Sequence, residues 1–338
     1  MPQRQEHPNA PNRNRKPGPP HRSRTVAWLI TTAFTAASLL GLSSAQLAAA
    51  RPNTPDQAAV AAAQARVTVP GSAGRSPAEQ EKALLAFWTP ERMKETVAAR
   101  PSAGESPAVP AEAASDTVGK LFFRHPSGKA DHCTAAAVDT GAETLVMTAA
   151  HCLHGGPGAS WMRDIVFAPA YHNGDTPLGT FPAWNIATDS LWSSGSTPDW
   201  EHDYGIVITH DNAVGEHVVD AAGGFQVVND ARTGENVSIM GYSGPPYDGE
   251  HQEHCEDLIE PTAPPTEMWQ VYCPNMAPGS SGAPWLLDYD AAEGIGYLAG
   301  LNSISDTGGF LASPRFDSRT TDFVALMDQL AAARPEAG

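Results

Sequence analysis

Ala277-Pro278-Gly279-Ser280-Ser281-Gly282-Ala283-Pro284, running into the apolar Trp285-Leu286-Leu287, is the stretch from which the rest of the chain is read. Such a turn of small residues can hold a serine hydroxyl out where a substrate reaches it. Gly279 and Gly282 carry no side chain, so the backbone can bend sharply and bring its N–H groups close to a carbonyl oxygen. Upstream stands Leu145-Val146-Met147-Thr148-Ala149-Ala150-His151-Cys152, whose histidine is the natural partner for that serine.

Together, histidine segment first and serine segment second, these stretches resemble the trypsin-like, chymotrypsin-fold serine peptidases, whose hallmarks are Thr-Ala-Ala-His-Cys and Gly-Asp-Ser-Gly-Gly-Pro. Thr148 to Cys152 matches throughout, and Gly279, Ser281, Gly282 and Pro284 match in the second hallmark. Ser280 replaces the usual Asp, and Ala283 the second Gly. The Gly-Ser-Ser-Gly form is similar to the secreted bacterial branch that includes the glutamyl endopeptidases. The resemblance implies an all-β fold of two antiparallel six-stranded barrels with the active site between them, followed by a C-terminal helix. It covers about residues 117–333.

The sequence pattern along that region agrees. Short β-favouring runs occur at Val118 to Phe123, Ala135 to Val138, Thr144 to Met147, Ile165 to Phe167, Gly205 to Thr209 and Phe225 to Val228. Others follow at Val237 to Met240, Met268 to Tyr272, Pro284 to Leu287 and Ile295 to Leu301. Within Ser318 to Ala333, the spacing of Phe323, Val324, Met327 and Leu330 predicts a helix.

The first 116 residues read differently. Met1 to Arg24 is polar and basic, and no charge then appears from Thr25 to Ala50, where small residues suit signal-peptidase cleavage. Residues 1–50 are read as a cleaved export signal and the protein as secreted. The alternative is a membrane anchor through an uncleaved segment 25–50. Residues 51–116 are Ala- and Pro-rich, a propeptide or linker. One piece predicts order: Ser76-Pro77-Ala78-Glu79 caps a helix with Ala83, Leu84, Phe87 and Trp88 on its apolar face, and a second short helix runs from Glu91 to Ala99. Two readings stand, a pro-segment docking on the catalytic domain, 117–338, or an inconsequential surface helix.

Charge excludes one class of partner. From Thr117 onward there are 8 Lys plus Arg and 29 Asp plus Glu, a formal balance of 8 − 29 = −21, so nucleic acid is not expected. Four cysteines, Cys133, Cys152, Cys255 and Cys273, allow three pairings. The resemblance implies Cys133 with Cys152, which leaves Cys255 with Cys273. A metal site on His251, His254 and Cys255 lacks a second ligand cluster, and no metal or other cofactor is expected. Acidic clusters at Asp248 to Glu250 and Glu253 to Asp257 lack EF-hand spacing and read as solvated loops.

Chemistry assigns the remaining roles. His151 would deprotonate Ser281, whose oxygen attacks a carbonyl, while the N–H groups of Gly279 and Ser281 receive the oxyanion. The resemblance places the third member at Asp203, before Tyr204-Gly205-Ile206-Val207-Ile208, with Asp189 and Asp199 as fallbacks. It also puts Asn275 at the base of the primary pocket and Asn302 and Ser303 on its wall. Without a carboxylate at the base, cleavage after Arg or Lys is not expected, and Asn302 stands where glutamyl endopeptidases carry histidine. With Ser280 uncharged, the oxyanion hole should form without an N-terminal ion pair, and latency would come from 51–116 covering the cleft. The expected protein is a monomeric endopeptidase acting on protein or peptide substrates, touching a membrane only during export. The competing class is a catalytically silent binding module.

Overall fold

A computed structural model describes residues 62–66, 77–99, 114–244, 247–276 and 278–334. The expected signal over 1–50 lies outside the described residues, as does most of 51–113. Among the described residues, no helix is long and apolar enough to cross a membrane.

Before the barrel come β1 (Ala62–Arg66), α1 (Pro77–Phe87) and α2 (Pro90–Ala98). Six strands then build a closed barrel: β2 (Val118–Arg124), β3 (Ala130–Val138), β4 (Leu145–Thr148), β5 (Arg163–Pro169), β6 (Phe181–Asp189) and β7 (Gly205–Thr209). Their order is β6-β5-β2-β3-β4-β7, and β7 pairs back onto β6. Closure leaves no unpaired edge around the ring. The strands read as near-continuous apolar runs because the barrel wall is buried; all of Leu145 to Thr148 and Gly205 to Thr209 is buried. β6 escapes a propensity reading because Pro182 and Asn185 interrupt it. Pro182 is tolerated near the strand start, opposite Val166, and Asn185 is buried opposite Ile208.

α1 and α2 dock on this barrel. Leu84, Trp88, Met93 and Val97 join its core, and the Trp88 indole donates to the Asp164 carbonyl. Phe87 lies between the Arg92 and Arg124 guanidiniums, each 4.2 Å from its ring centre. Thr89 caps α2 by accepting from the Arg92 amide. β1 adds antiparallel to β6 over Asn185–Asp189. These two helices are therefore packed into the barrel core through Leu84, Trp88, Met93 and Val97.

The short α3 (Ser190–Ser193) and α4 (Val218–Ala222) follow β6 and β7. The second half contains β8 (Gln226–Val227), β9 (Asn236–Gly241), β10 (Glu253–Leu258), β11 (Glu260–Pro261), β12 (Trp269–Tyr272), β13 (Pro284–Asp290), β14 (Ile295–Leu301), β15 (Ile304–Ser305) and β16 (Phe310–Ser313). These form two sheets, β10-β9-β13-β14-β8 and β11-β12-β16-β15, rather than one hydrogen-bonded ring. Both sheets supply one core, with Val237, Ile239 and Trp285 from the first and Trp269, Val271 and Leu311 from the second. Register shifts after Trp285 and Leu287 break the even β13–β14 ladder.

The chain ends in α5 (Ser318–Ala332), whose Asp317 and Thr320 form a reciprocal capping box. Phe323, Val324 and Met327 bury its apolar face, and Leu330 packs against the same core.

Candidate active site

The histidine and the acid are brought together by strand register. β4 and β7 run antiparallel with Thr148 opposite Gly205, so His151, three residues past the end of β4, meets Asp203, two residues before β7. His151 sits in a tight turn, Ala150–Cys152, tied to β3 by the Cys133–Cys152 disulfide. Its Nδ1 lies 2.7 Å from Asp203 Oδ2, and its backbone N–H donates to Oδ1 at 2.8 Å. Asp203 is 0% exposed. A third donor, the Ser303 hydroxyl, reaches Oδ2 at 2.6 Å. With Nδ1 directed at this carboxylate, the imidazole is held in one orientation and its Nε2 is turned away from Asp203.

The fallback aspartates serve elsewhere. Asp189 is buried, paired with Arg319 through both oxygens, and accepts from the Tyr204 hydroxyl. Burial and that carboxylate push the Tyr204 phenol well above its usual range. Asp199 accepts from the Glu201 amide and pairs with His202.

The Ser281 turn precedes β13 and is pressed against the end of β4. Gly282 has φ +82°, and a Cβ there would run into Thr148 Oγ1 and Thr134 O and come within 3.0 Å of the Ala149 N. Only glycine fits. That seat carries Ser281 to the strand end holding His151. Thr134 in β3 clamps the turn: its N–H donates to the Ser281 carbonyl at 2.8 Å and its hydroxyl to the Gly279 carbonyl at 3.1 Å. Gly279 adopts φ +117°. Among the described residues, the amides of Gly279 and Ser281 have no recorded acceptor, whereas Gly282 donates to the Asn302 carbonyl and Ala283 to that of Ser280.

No protein-family model matches the chain, and no curated protein matches it. Solved structures do. A thermostable serine protease, AL20, from an extremophilic microorganism is 27% identical with a TM-score of 0.59, over 67% of this chain and all of that one. Protease Anisep from Arthrobacter nicotinovorans is 25% identical with a TM-score of 0.57, over 65% of this chain and 98% of that one. A Glu endopeptidase, 14% identical, shares the fold with a TM-score of 0.52, over 68% of this chain and 99% of that one. The fold is that of the chymotrypsin-like serine peptidases.

Within the chymotrypsin-like fold, the pocket residues read from sequence separate. Asn275 donates to the His254 carbonyl at 2.8 Å, beside the Cys255–Cys273 disulfide. Asn302 is 3% exposed, and its side chain is bonded to Ser280 and Trp285. Ser303, expected on the pocket wall, spends its hydroxyl on Asp203. Nothing local marks Ser303 or Thr134 for these roles; each is a small polar residue beside an apolar run. Trp192 and Trp200, which carried no motif, set their rings 6.4 and 6.2 Å from that of His151.

The metal candidates are also accounted for. Cys255 is in a disulfide, His251 pairs with Asp248 and His254 with Glu256. Among the described residues, the one cluster with ligand spacing is Cys133, His151 and Cys152, whose cysteines are bonded to each other.

Proposed function

We propose that this chain is a secreted serine endopeptidase acting through Ser281, His151 and Asp203. The observation that carries the reading is the buried Asp203 carboxylate gripping both the ring and the backbone of His151 beside a tight glycine turn that presents Ser281. Likeness to two serine proteases at 25% identity or more supports it.

In this mechanism His151 takes the Ser281 proton as the serine oxygen attacks the scissile carbonyl. Asp203 stabilises the resulting imidazolium, and the amides of Gly279 and Ser281 receive the oxyanion. His151 then protonates the leaving amine, and water, activated by the same ring, releases the acyl group. The substrate is a protein or peptide. Asn275 at the pocket base brings no charge, so an uncharged or polar side chain is accepted ahead of the scissile bond, and Arg, Lys and Glu are not preferred. Trp192 and Trp200 give an apolar wall next to the imidazole.

The two sheets of the second half are read as an opened second barrel, since they share one core. Export is supported by the basic and then uncharged N-terminal sequence and by two disulfides. Segment 51–116 is read as a pro-segment whose helices dock on the first barrel.

A fluorophosphonate probe tests the function. Folded, leader-free protein should be labelled at Ser281 and cleave a peptide library, and Ser281→Ala should do neither. Folded protein without labelling would instead favour the binding module.

A further inference from the structure

Asn302 stands at the end of β14, where the pocket wall was expected, yet all four of its polar groups are committed to the segment that carries the nucleophile. Its carbonyl accepts from the Gly282 amide at 2.7 Å, and its own amide donates to the Ala283 carbonyl at 2.9 Å. Its Oδ1 accepts from the Trp285 indole at 2.6 Å, and its Nδ2 donates to Ser280 Oγ at 3.1 Å. The orientation of the side-chain amide follows from chemistry. Indole N–H can only donate, so Oδ1 must face Trp285 and Nδ2 must face Ser280.

We propose that Asn302 is the positioning residue that holds the oxyanion-forming turn in its working shape, with Ser280 as its handle on that turn. The inference rests on Ser281 being the nucleophile. Ser280 lies between Gly279 and Ser281, the two residues whose amides would receive the oxyanion. Fixing its side chain therefore fixes the peptide planes on both sides. Thr134 holds the two flanking carbonyls from the first barrel, so only the middle of the turn lacks a grip from that side. Asn302 supplies it from the second half. Both Asn302 and Ser280 are 3% exposed, which makes the bond a strong constraint, because an unmade partner would be left dry. Packing leaves the turn little alternative: a Cβ on Gly241 would come within 3.3 Å of Ser280 Cβ and 2.7 Å of Ala283 Cβ. The turn is thus held by neutral side chains already inside the fold, and no charged group has to arrive at Ser280.

The test is a double-mutant cycle of Ser280→Ala and Asn302→Leu in the processed protein, reading kcat, KM and the preference for the residue before the cleaved bond. Ser280→Ala should lower kcat about 10-fold and Asn302→Leu about 100-fold, the scale of a misplaced reacting group. KM should stay within about two-fold, preference should be unchanged, and the double variant should match Asn302→Leu alone, as coupled residues do. A change of preference with kcat intact, or additive losses, would make Asn302 a pocket-wall residue and overturn the proposal. Should Asn302→Leu fail to fold by near-ultraviolet circular dichroism, Ser280→Ala decides: reduced kcat supports the proposal, wild-type kcat overturns it. A wild-type protein that neither cleaves nor takes the fluorophosphonate removes the peptidase reading and this proposal together. An active wild type with an unaffected Ser280→Ala removes this proposal alone.

Discussion

The two halves of the molecule hold their parts of the site by different means. In the first, His151 and Asp203 project from the ends of β4 and β7, and the hydrogen-bond ladder of a closed barrel decides their separation. In the second, Ser281 sits on a turn outside any strand, and side chains from β3 and the end of β14 hold it. A group placed by a ladder is protected by many cooperating bonds, whereas one placed by side chains depends on each of them. A substitution beside the acid should therefore leave the framework intact and damage chemistry alone.

The largest expected effect probes that division. Asp203→Asn keeps the carboxamide's size but cannot hold the productive His151 tautomer, and kcat should fall by about 10⁴. Because the barrel ladder is untouched, denaturant midpoints should move little. A loss of folded protein matching the loss of activity would show that the acid is part of the framework after all.

Next in size is a test of where the first half ends. Trp88 is 3% exposed in the barrel core, although it lies in the segment read as a propeptide. In protein retaining 77–99, Trp88→Ala should cost about 3–5 kcal/mol of unfolding free energy, the usual scale for emptying a buried aromatic site. A loss below about 1 kcal/mol would make α1 and α2 passengers on the barrel.

The smallest effect concerns acid. His210, just beyond β7, has its pKa lowered from 6.5 to about 4, mainly by burial and then by the Arg334 guanidinium. The folded protein keeps this ring neutral where the unfolded chain protonates it. Stability therefore falls as pH drops from about 6.5 towards 4, and is insensitive to His210 above that window. His210→Gln should flatten the fall by at most about 3 kcal/mol, read from denaturant unfolding between pH 4 and 7. An unchanged pH slope would refute the assignment.

Much of the framework was legible in local pattern. Gly205 to Thr209 and Ile295 to Leu301 are apolar runs that became strands at the expected bounds, and the spacing of Phe323, Val324 and Met327 marked the face that α5 buries. β6 was illegible because Pro182 and Asn185 disguise a strand whose existence depends on partners on both edges. The cysteine pairing implied by the resemblance is the one present. Ring closure of the first six strands, and the pairing of the second half into two sheets among the described residues, belong to long-range pairing that no local run encodes.

By itself, the sequence determined the chemical groups on offer: a histidine in Thr-Ala-Ala-His-Cys, a serine in Gly-Ser-Ser-Gly, and three aspartates, of which Asp203 precedes an apolar run. Only the tertiary structure decided among them. His151 and Asp203 are 52 residues apart along the chain and Ser303 is a further 100 beyond Asp203, yet all three converge within hydrogen-bond reach. The same convergence ties the Asn302 side chain to Ser280 and Trp285 and the Ser303 hydroxyl to Asp203. The reason is the range of the interaction: a hydrogen bond is made or lost within a few tenths of an ångström. Sequence pattern carries burial and periodicity, and says nothing at that resolution about which distant side chain arrives.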